Sequence, residues 1–323
     1  MSAVEVISGQ EPAREAKGRA LWAYALQRIR RRPTAMLGLL IVLFSSLLAL
    51  LAPWLAPHDP TQMTFINYLP PAWVDNSMHT GNPEYLLGTD GVGRDVLSRV
   101  IYGFRTAMFA AWMGVPVAGL LGMLVGALAA YWGGRLERWA MGLVDVFYAF
   151  PQILFAVLMA LILRRTVFGQ WLNGIGMVAL SYALIAWVGL ARLIRSNVLV
   201  LKRELFIEAA HALGATHSRI LWRHILPNLA GTLAVWATFA VPRVILIEVL
   251  LSYIRIGIGS FIEGVSLDVM SWGGLFFEGR RVIHSHPSIL LFPAIAITLV
   301  TAGFIFLGDG LRDALDPRVP DLP

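Results

Sequence analysis

The stretch Glu208-Ala209-Ala210-His211-Ala212-Leu213-Gly214, with Leu226-Pro227 beginning twelve residues after Gly214, lies between two long apolar runs at 171–193 and 229–254. That placement decides the fold. A short, polar, helix-forming insert joins two segments long and apolar enough to cross a membrane. Residues from Glu208 through Leu213 favour helix, and Gly214 stands where a helix ends in a left-handed cap. Thr216 or Ser218 can N-cap a second short helix running through Trp222 to Ile225, which Pro227 stops. Helix, glycine corner and second helix together predict a rigid protrusion suited to docking in a partner's groove.

Working outward, the composition agrees. The chain is 57% apolar and 14% charged, with a mean hydropathy of +0.68. A water-facing surface hardly tolerates that balance. Six stretches, 36–56, 107–132, 139–163, 171–193, 229–254 and 288–307, are each long enough to cross about 30 Å of hydrocarbon at roughly 20 residues per crossing. With no water in a bilayer core, helices alone satisfy their own backbone groups at that number of crossings. The expected fold is therefore all-α and polytopic, with six transmembrane helices over 36–308. A cytoplasmic segment, 1–35, precedes them and a cytoplasmic tail, 309–323, follows.

Seventeen basic residues fall on one side of these spans and eight on the other. The richer side holds Arg28, Arg30, Arg31 and Arg32 before the first span, and Arg192, Arg195, Lys202, Arg203, Arg219 and Arg223 around the Glu208 loop. By the positive-inside rule both termini and the loop 194–228 are cytoplasmic, and the loop 57–106 is external. The first 35 residues are too charged for a cleavable signal peptide. Residues 21–32 form a basic amphipathic helix able to lie among lipid headgroups. A pI near 10 raises nucleic acid as a partner. The basic residues follow membrane topology, however, and are not interleaved with stacking aromatics, so no nucleic-acid binding is expected.

Few residues offer chemistry. There is no cysteine, which excludes disulfides and thiolate sites. Neither Lys17 nor Lys202 follows a GxxxxG run, so no P-loop is present. His284-Ser285-His286 lacks a third ligand nearby, and no metal site is expected. His211, His217 and His224 are spaced by six and seven and decorate the loop. In the external segment Asp90, Arg94 and Asp95 are placed to form a small ion-pair cluster over the bundle mouth. Within the spans two carboxylates stand out, Asp145 and Glu248. A buried charge in a membrane is expensive and therefore functional or paired. Glu248 reads equally as a hydrogen-bond anchor or as a residue of the substrate path. Arg243 is five residues from it, about 140° around an ideal helix, so the two do not share a face.

The spacing of Glu208, Ala209, Ala210, Gly214, Leu226 and Pro227 resembles the "EAA" loop of ATP-binding-cassette (ABC) importer permeases. Further words resemble the C-type permease subunits of the dipeptide, oligopeptide and nickel importers. They are Gly88-Thr89-Asp90, Gly93-Arg94-Asp95, Asp145 with Phe150-Pro151, Arg223-His224-Ile225-Leu226-Pro227-Asn228, Glu248 with Leu251-Ser252-Tyr253, and Leu307-Gly308-Asp309-Gly310-Leu311. The resemblance covers about residues 25–320. The chain departs from it at Pro242, Arg243, Val249 and Arg255-Ile256, where small residues, alanine and a Gly-Leu pair are the usual occupants.

The resemblance implies a type I ABC importer permease fold in the cytoplasmic membrane and peptide cargo. It implies a homologous B-type permease as partner, two cytoplasmic ATPases that dock on the Glu208 loop and carry the ATP and magnesium, and an external substrate-binding protein. This chain itself then holds no cofactor and performs no covalent chemistry. Nickel, glutathione and oligosaccharides are alternative cargoes of near-identical permeases. A rival from another class is a proton-coupled secondary transporter using Glu248 and Asp145 as relay groups. A membrane-embedded enzyme would need a nucleophile or metal constellation that the spans do not contain.

Overall fold

The computed structural model describes residues 26–76, 79–258 and 270–315, so the segment 1–25 and the tail beyond 315 lie outside the described residues. Helix α1, Pro33–Leu55, opens on a proline at its first position after an extended Arg32, where a missing N–H costs nothing. The long segment that follows is irregular, apart from a two-residue antiparallel ladder of Asp75–Asn76 (β1) with His79–Thr80 (β2). Otherwise the all-α expectation holds among the described residues.

Helix α2, Val96–Trp132, is 37 residues long. It begins eleven residues before the expected start at 107, because Asp95 caps it by accepting from the Leu97 and Ser98 N–H groups. Its first turns bury Val96, Val100 and Phe104, so the last part of the supposed external loop is helix and core. The third expected span is broken. Helices α3, Gly134–Ala149, and α4, Gln152–Leu163, meet at 94°. Phe150 is extended at the break, the conformation that Pro151 imposes on the residue before it. Helix α5 is Ile175–Leu201, four residues later than the expected start, because 171–174 form a tight 3-10 turn.

Two short helices, α6 Leu205–Ala212 and α7 His217–Ile220, follow. Pro227 does not stop the chain as expected. Leu221–Ile225 widens into a π-helical turn and Leu226–Leu229 tightens into a 3-10 turn. These lead without interruption into α8, Ala230–Tyr253. The changes of pitch accommodate the proline ring, and the Asn228 amide donates to the His224 carbonyl at 2.5 Å. Helix α9, Trp272–Gly279, is short, and α10, Ser288–Leu315, continues eight residues past the expected end of the last span. Five of these helical runs are long and apolar enough to cross a membrane, and the bent α3–α4 pair makes six if its two arms count as one span.

Close helix approach holds the bundle together. Along α2, a Cβ built on Gly114, Gly122 or Gly126 would lie 2.9, 2.8 or 2.4 Å from the Ala179, Trp187 or Ala191 carbonyl oxygen of α5. Such small-residue seams are how membrane helices gain packing when apolar burial offers no preference over lipid. Helices α1 and α10 cross as closely, with Gly38 facing the Gly303 carbonyl and the Leu307 amide. At one end Arg32 pairs with Asp313, and Ile29, Ala35, Leu311 and Ala314 form a small cluster. The Glu208 loop lies at that end too, since Gly231, just beyond it, faces Leu315.

Candidate functional site

The Glu208 loop is a corner between two short helices, built on a buried underside. Gly214 takes φ +75°. Its N–H donates to the His211 carbonyl at 2.9 Å, and that of Ala215 to the Ala210 carbonyl at 3.0 Å. These two bonds close α6 as a left-handed glycine cap does. Thr216 then caps α7 by accepting from the Arg219 N–H, as one of the two expected caps. Beneath the corner, Ile207, Ile220, Leu221, Ile225 and Leu229 pack against Tyr131, Leu190, Ile194 and Val198 of α2 and α5.

The outer face is a different surface. Glu208, Ala209, Gly214 and Pro227 are exposed, and Ala210 and Leu226 are half-buried. Beside them Leu205, Leu213 and Trp222 stand 80%, 75% and 63% exposed. Large apolar side chains this exposed, beside a loop outside the spans, are the kind of surface that protein partners cover. Leu205, Leu213 and Trp222 were not singled out from the sequence. Their apolar type predicts burial, and only the corner's geometry turns them outward.

Glu248 is fully buried in α8. Its Oε1 accepts from Ser252 Oγ at 2.8 Å and from Ser271 Oγ at 2.5 Å. Ser271 also caps α9 by accepting from the Gly273 N–H at 3.0 Å. Oε2 has no hydrogen-bond partner among the described residues. The carboxyl thus ties α8 to the start of α9. Ser252 was legible as the i+4 neighbour of Glu248, whereas Ser271, twenty-three residues on, gives no local signal. Arg243 is exposed and on another face, as helix geometry requires. Asp145 is far less enclosed. It pairs with Arg192, whose guanidinium lies 3.9 Å from the Tyr148 ring centre. Asp145 and Glu248 therefore belong to separate sets of partners.

The other end of the bundle carries a buried ion network that differs from the expected trio. Arg94 Nε donates to Asp90 Oδ2 at 2.7 Å and its Nη2 to Glu278 Oε1 at 2.9 Å. Arg99 bonds the same Asp90 oxygen and donates to Glu278 Oε2 at 2.7 Å. Asp95 is not part of it, being used by the α2 cap and lying 3.5 Å from His58 Nδ1. Burial by itself raises the Asp90 pKa, but Arg99, Arg94 and the backbone N–H groups of Arg94 and Val92 outweigh it and hold the carboxyl below its ordinary value. At Phe277, next to Glu278 in sequence, Arg255, Arg280 and Arg281 place their guanidiniums 4.7, 4.6 and 5.0 Å from the ring centre. Arg255 has φ +65°, a conformation that suits the glycine usual at that place in the resemblance.

Residues 118–320 match the family described as binding-protein-dependent transport system inner membrane component, and residues 20–71 match the N-terminal transmembrane domain of oligopeptide transport permease C. The chain is 32% identical over 317 residues to the oligopeptide transport system permease protein OppC of Haemophilus influenzae, covering 98% of this chain and 94% of that one. The chain belongs to the binding-protein-dependent transport system inner membrane components. The dipeptide transport system permease protein DppC of Bacillus subtilis is 33% identical to this permease, over 91% of its chain and 85% of the relative. The glutathione transport system permease protein GsiD of Escherichia coli (strain UTI89 / UPEC) is 34% identical, over 93% and 92%. The permease is thus a multi-pass membrane subunit of an ABC importer.

Proposed function

We propose that this permease moves short peptides across the cytoplasmic membrane as the C-type half of a two-permease core. In this reading both termini and the Glu208 loop face the cytoplasm. Two ATPase subunits, holding the ATP and magnesium, cover the loop's exposed face, with Glu208, Ala209, Ala210, Gly214, Leu226 and Pro227 forming its frame. An external binding protein delivers the cargo to the opposite end, and a homologous B-type permease completes the path. Closure of the ATPase pair moves the loop as a rigid body, and the spans rock between inward and outward openings.

The observation that carries the reading is the join between loop and span. The chain from α7 to the end of α8 is one uninterrupted helical rod, 217–253, so force on the corner reaches α8 without a hinge loop between them. Peptide cargo is supported by relatives named for oligopeptides and dipeptides. Glutathione, a modified tripeptide, falls within the same chemical class. Family membership favours this mechanism over a proton-coupled carrier. The test is uptake of labelled di- to pentapeptides into proteoliposomes holding both permeases and both ATPases, with loaded binding protein outside. Uptake that needs ATP and persists with the proton gradient clamped at zero is expected. Uptake that follows the proton gradient and ignores ATP overturns the reading.

A further inference from the structure

Arg243 lies thirteen residues after the start of α8 and ten before its end, roughly 20 Å and 15 Å along the axis. That is close to mid-depth in a bilayer. The residue is exposed on this chain's surface. Its electrostatic neighbour is Tyr182, whose hydroxyl donates to the Ala240 carbonyl at 3.2 Å. Among the described residues no carboxylate pairs with Arg243. A guanidinium at such depth does not face lipid; it faces a protein partner or a water-filled path. The chain's own interior is not that environment, because Val241, Pro242, Val244, Ile245 and Glu248 turn inward while Arg243 and Leu246 turn out.

We propose that Arg243 lines the translocation path and binds the free C-terminal carboxylate of the peptide in transit. The inference rests on the peptide-permease reading above and adds a specificity-determining residue to it. Arginine's planar fork matches a carboxylate with two parallel hydrogen bonds, which a lysine in the same place does not reproduce. The cargo is favoured over a carboxylate of the partner permease for two reasons. A charge pair sealed between subunits contributes little net stability once both groups are desolvated. A residue on the rod driven by the Glu208 loop is instead well placed to bind an anion in one state and release it in the next. Glu248, the nearby anion on the same helix, is turned inward and held by Ser252 and Ser271.

The natural chain contains no cysteine, so Arg243→Cys gives a single reactive site in the assembled complex once the partner subunits carry no accessible thiol. A water-soluble thiol reagent is expected to label it, and a peptide with a free C-terminus is expected to protect it better than the same peptide amidated. This arm needs no binding protein. In the second arm, ATP-driven uptake of the two peptides is compared for wild type, Arg243→Lys and Arg243→Gln with one binding protein throughout. The preference for the free acid is expected to drop about tenfold in Arg243→Gln and less in Arg243→Lys. No labelling of Arg243→Cys in any nucleotide state overturns the proposal, as does an unchanged acid-to-amide ratio in Arg243→Gln. Failure of Arg243→Gln to assemble, where Arg243→Lys assembles, assigns the anion to the partner permease and also overturns it. Wild-type uptake is read first: if no peptide is transported, the functional reading has failed, and the specificity inference falls with it.

Discussion

The Tyr131 hydroxyl lies 3.0 Å from His217 Nδ1, joining the last turn of α2 to the first residue of α7. Lys202, just before α6, donates to the Tyr131 carbonyl at 2.8 Å and the Ala130 carbonyl at 3.2 Å. Both approaches to the Glu208 loop are thus latched to the end of α2. Tyr131→Phe removes one latch and leaves the packing, at a cost of about 1 kcal/mol. ATP hydrolysis should continue while peptide moved per ATP falls, which paired uptake and phosphate-release assays measure. An unchanged ratio would show that the latch is idle in coupling.

At Gly214 nothing lies within 4 Å of a built Cβ, so substitution there tests backbone conformation and not space. Gly214→Val should strain the φ +75° corner by on the order of 1 kcal/mol or more and uncouple hydrolysis from transport. Gly214→Asn should keep most transport, because asparagine tolerates the left-handed region. Equal transport by both variants at equal expression would sink the docking role.

Single cysteines at Met63 and Ser218, both exposed, report sidedness. An impermeant thiol reagent applied to intact cells should modify Met63→Cys and spare Ser218→Cys. The reverse pattern would invert the topology and move the proposed dock to the wrong side of the membrane.

Glu248→Gln preserves shape and can still bond both serines, so it should retain most ATP-driven uptake. Glu248→Leu leaves Ser252 and Ser271 without their shared acceptor in a buried site, at roughly 1–3 kcal/mol, and should lose assembly or transport. Loss of uptake in Glu248→Gln, with normal assembly, would assign the charge itself a role in the path.

For the buried network, Asp90→Asn leaves two guanidiniums sharing Glu278 and should destabilise the complex by roughly 3 kcal/mol or more. The sign of the pH effect follows from the lowered pKa of Asp90. Its contribution is complete above the unfolded value near 3.9 and disappears as pH falls through the lower folded value. Thermal unfolding in detergent should therefore show a loss below about pH 4 that the variant lacks, together with a lower midpoint for the variant at neutral pH.

The parts of this fold written in local chemistry were legible in the sequence. Apolar length located the spans, Gly214 and Thr216 marked the corner, and the angle between Arg243 and Glu248 separated their faces. Contacts between distant segments were not legible. Nothing near Asp90 announces Glu278, and nothing near Glu248 announces Ser271. Proline misled in both directions. At Pro151 the chain bends by 94° where one continuous span was expected. At Pro227 it continues where a stop was expected, because a π turn and a 3-10 turn absorb the ring. Whether a proline breaks or merely repitches a helix depends on the helices packed around it, which no local window contains.

The crossing of α1 with α10 has a consequence for biosynthesis. The α2 side of α1 can pair as soon as α2 emerges, but the seam at Gly38 waits for Gly303 and Leu307. At roughly 5–20 residues per second, translation takes on the order of tens of seconds to cover that interval. For that time the first helix inserted has one flank open to lipid or to the insertion machinery. A ribosome stalled before α10 would leave an intermediate whose small-residue flank is free to pair with the wrong helix, so nascent-chain quality control is expected to act on this flank.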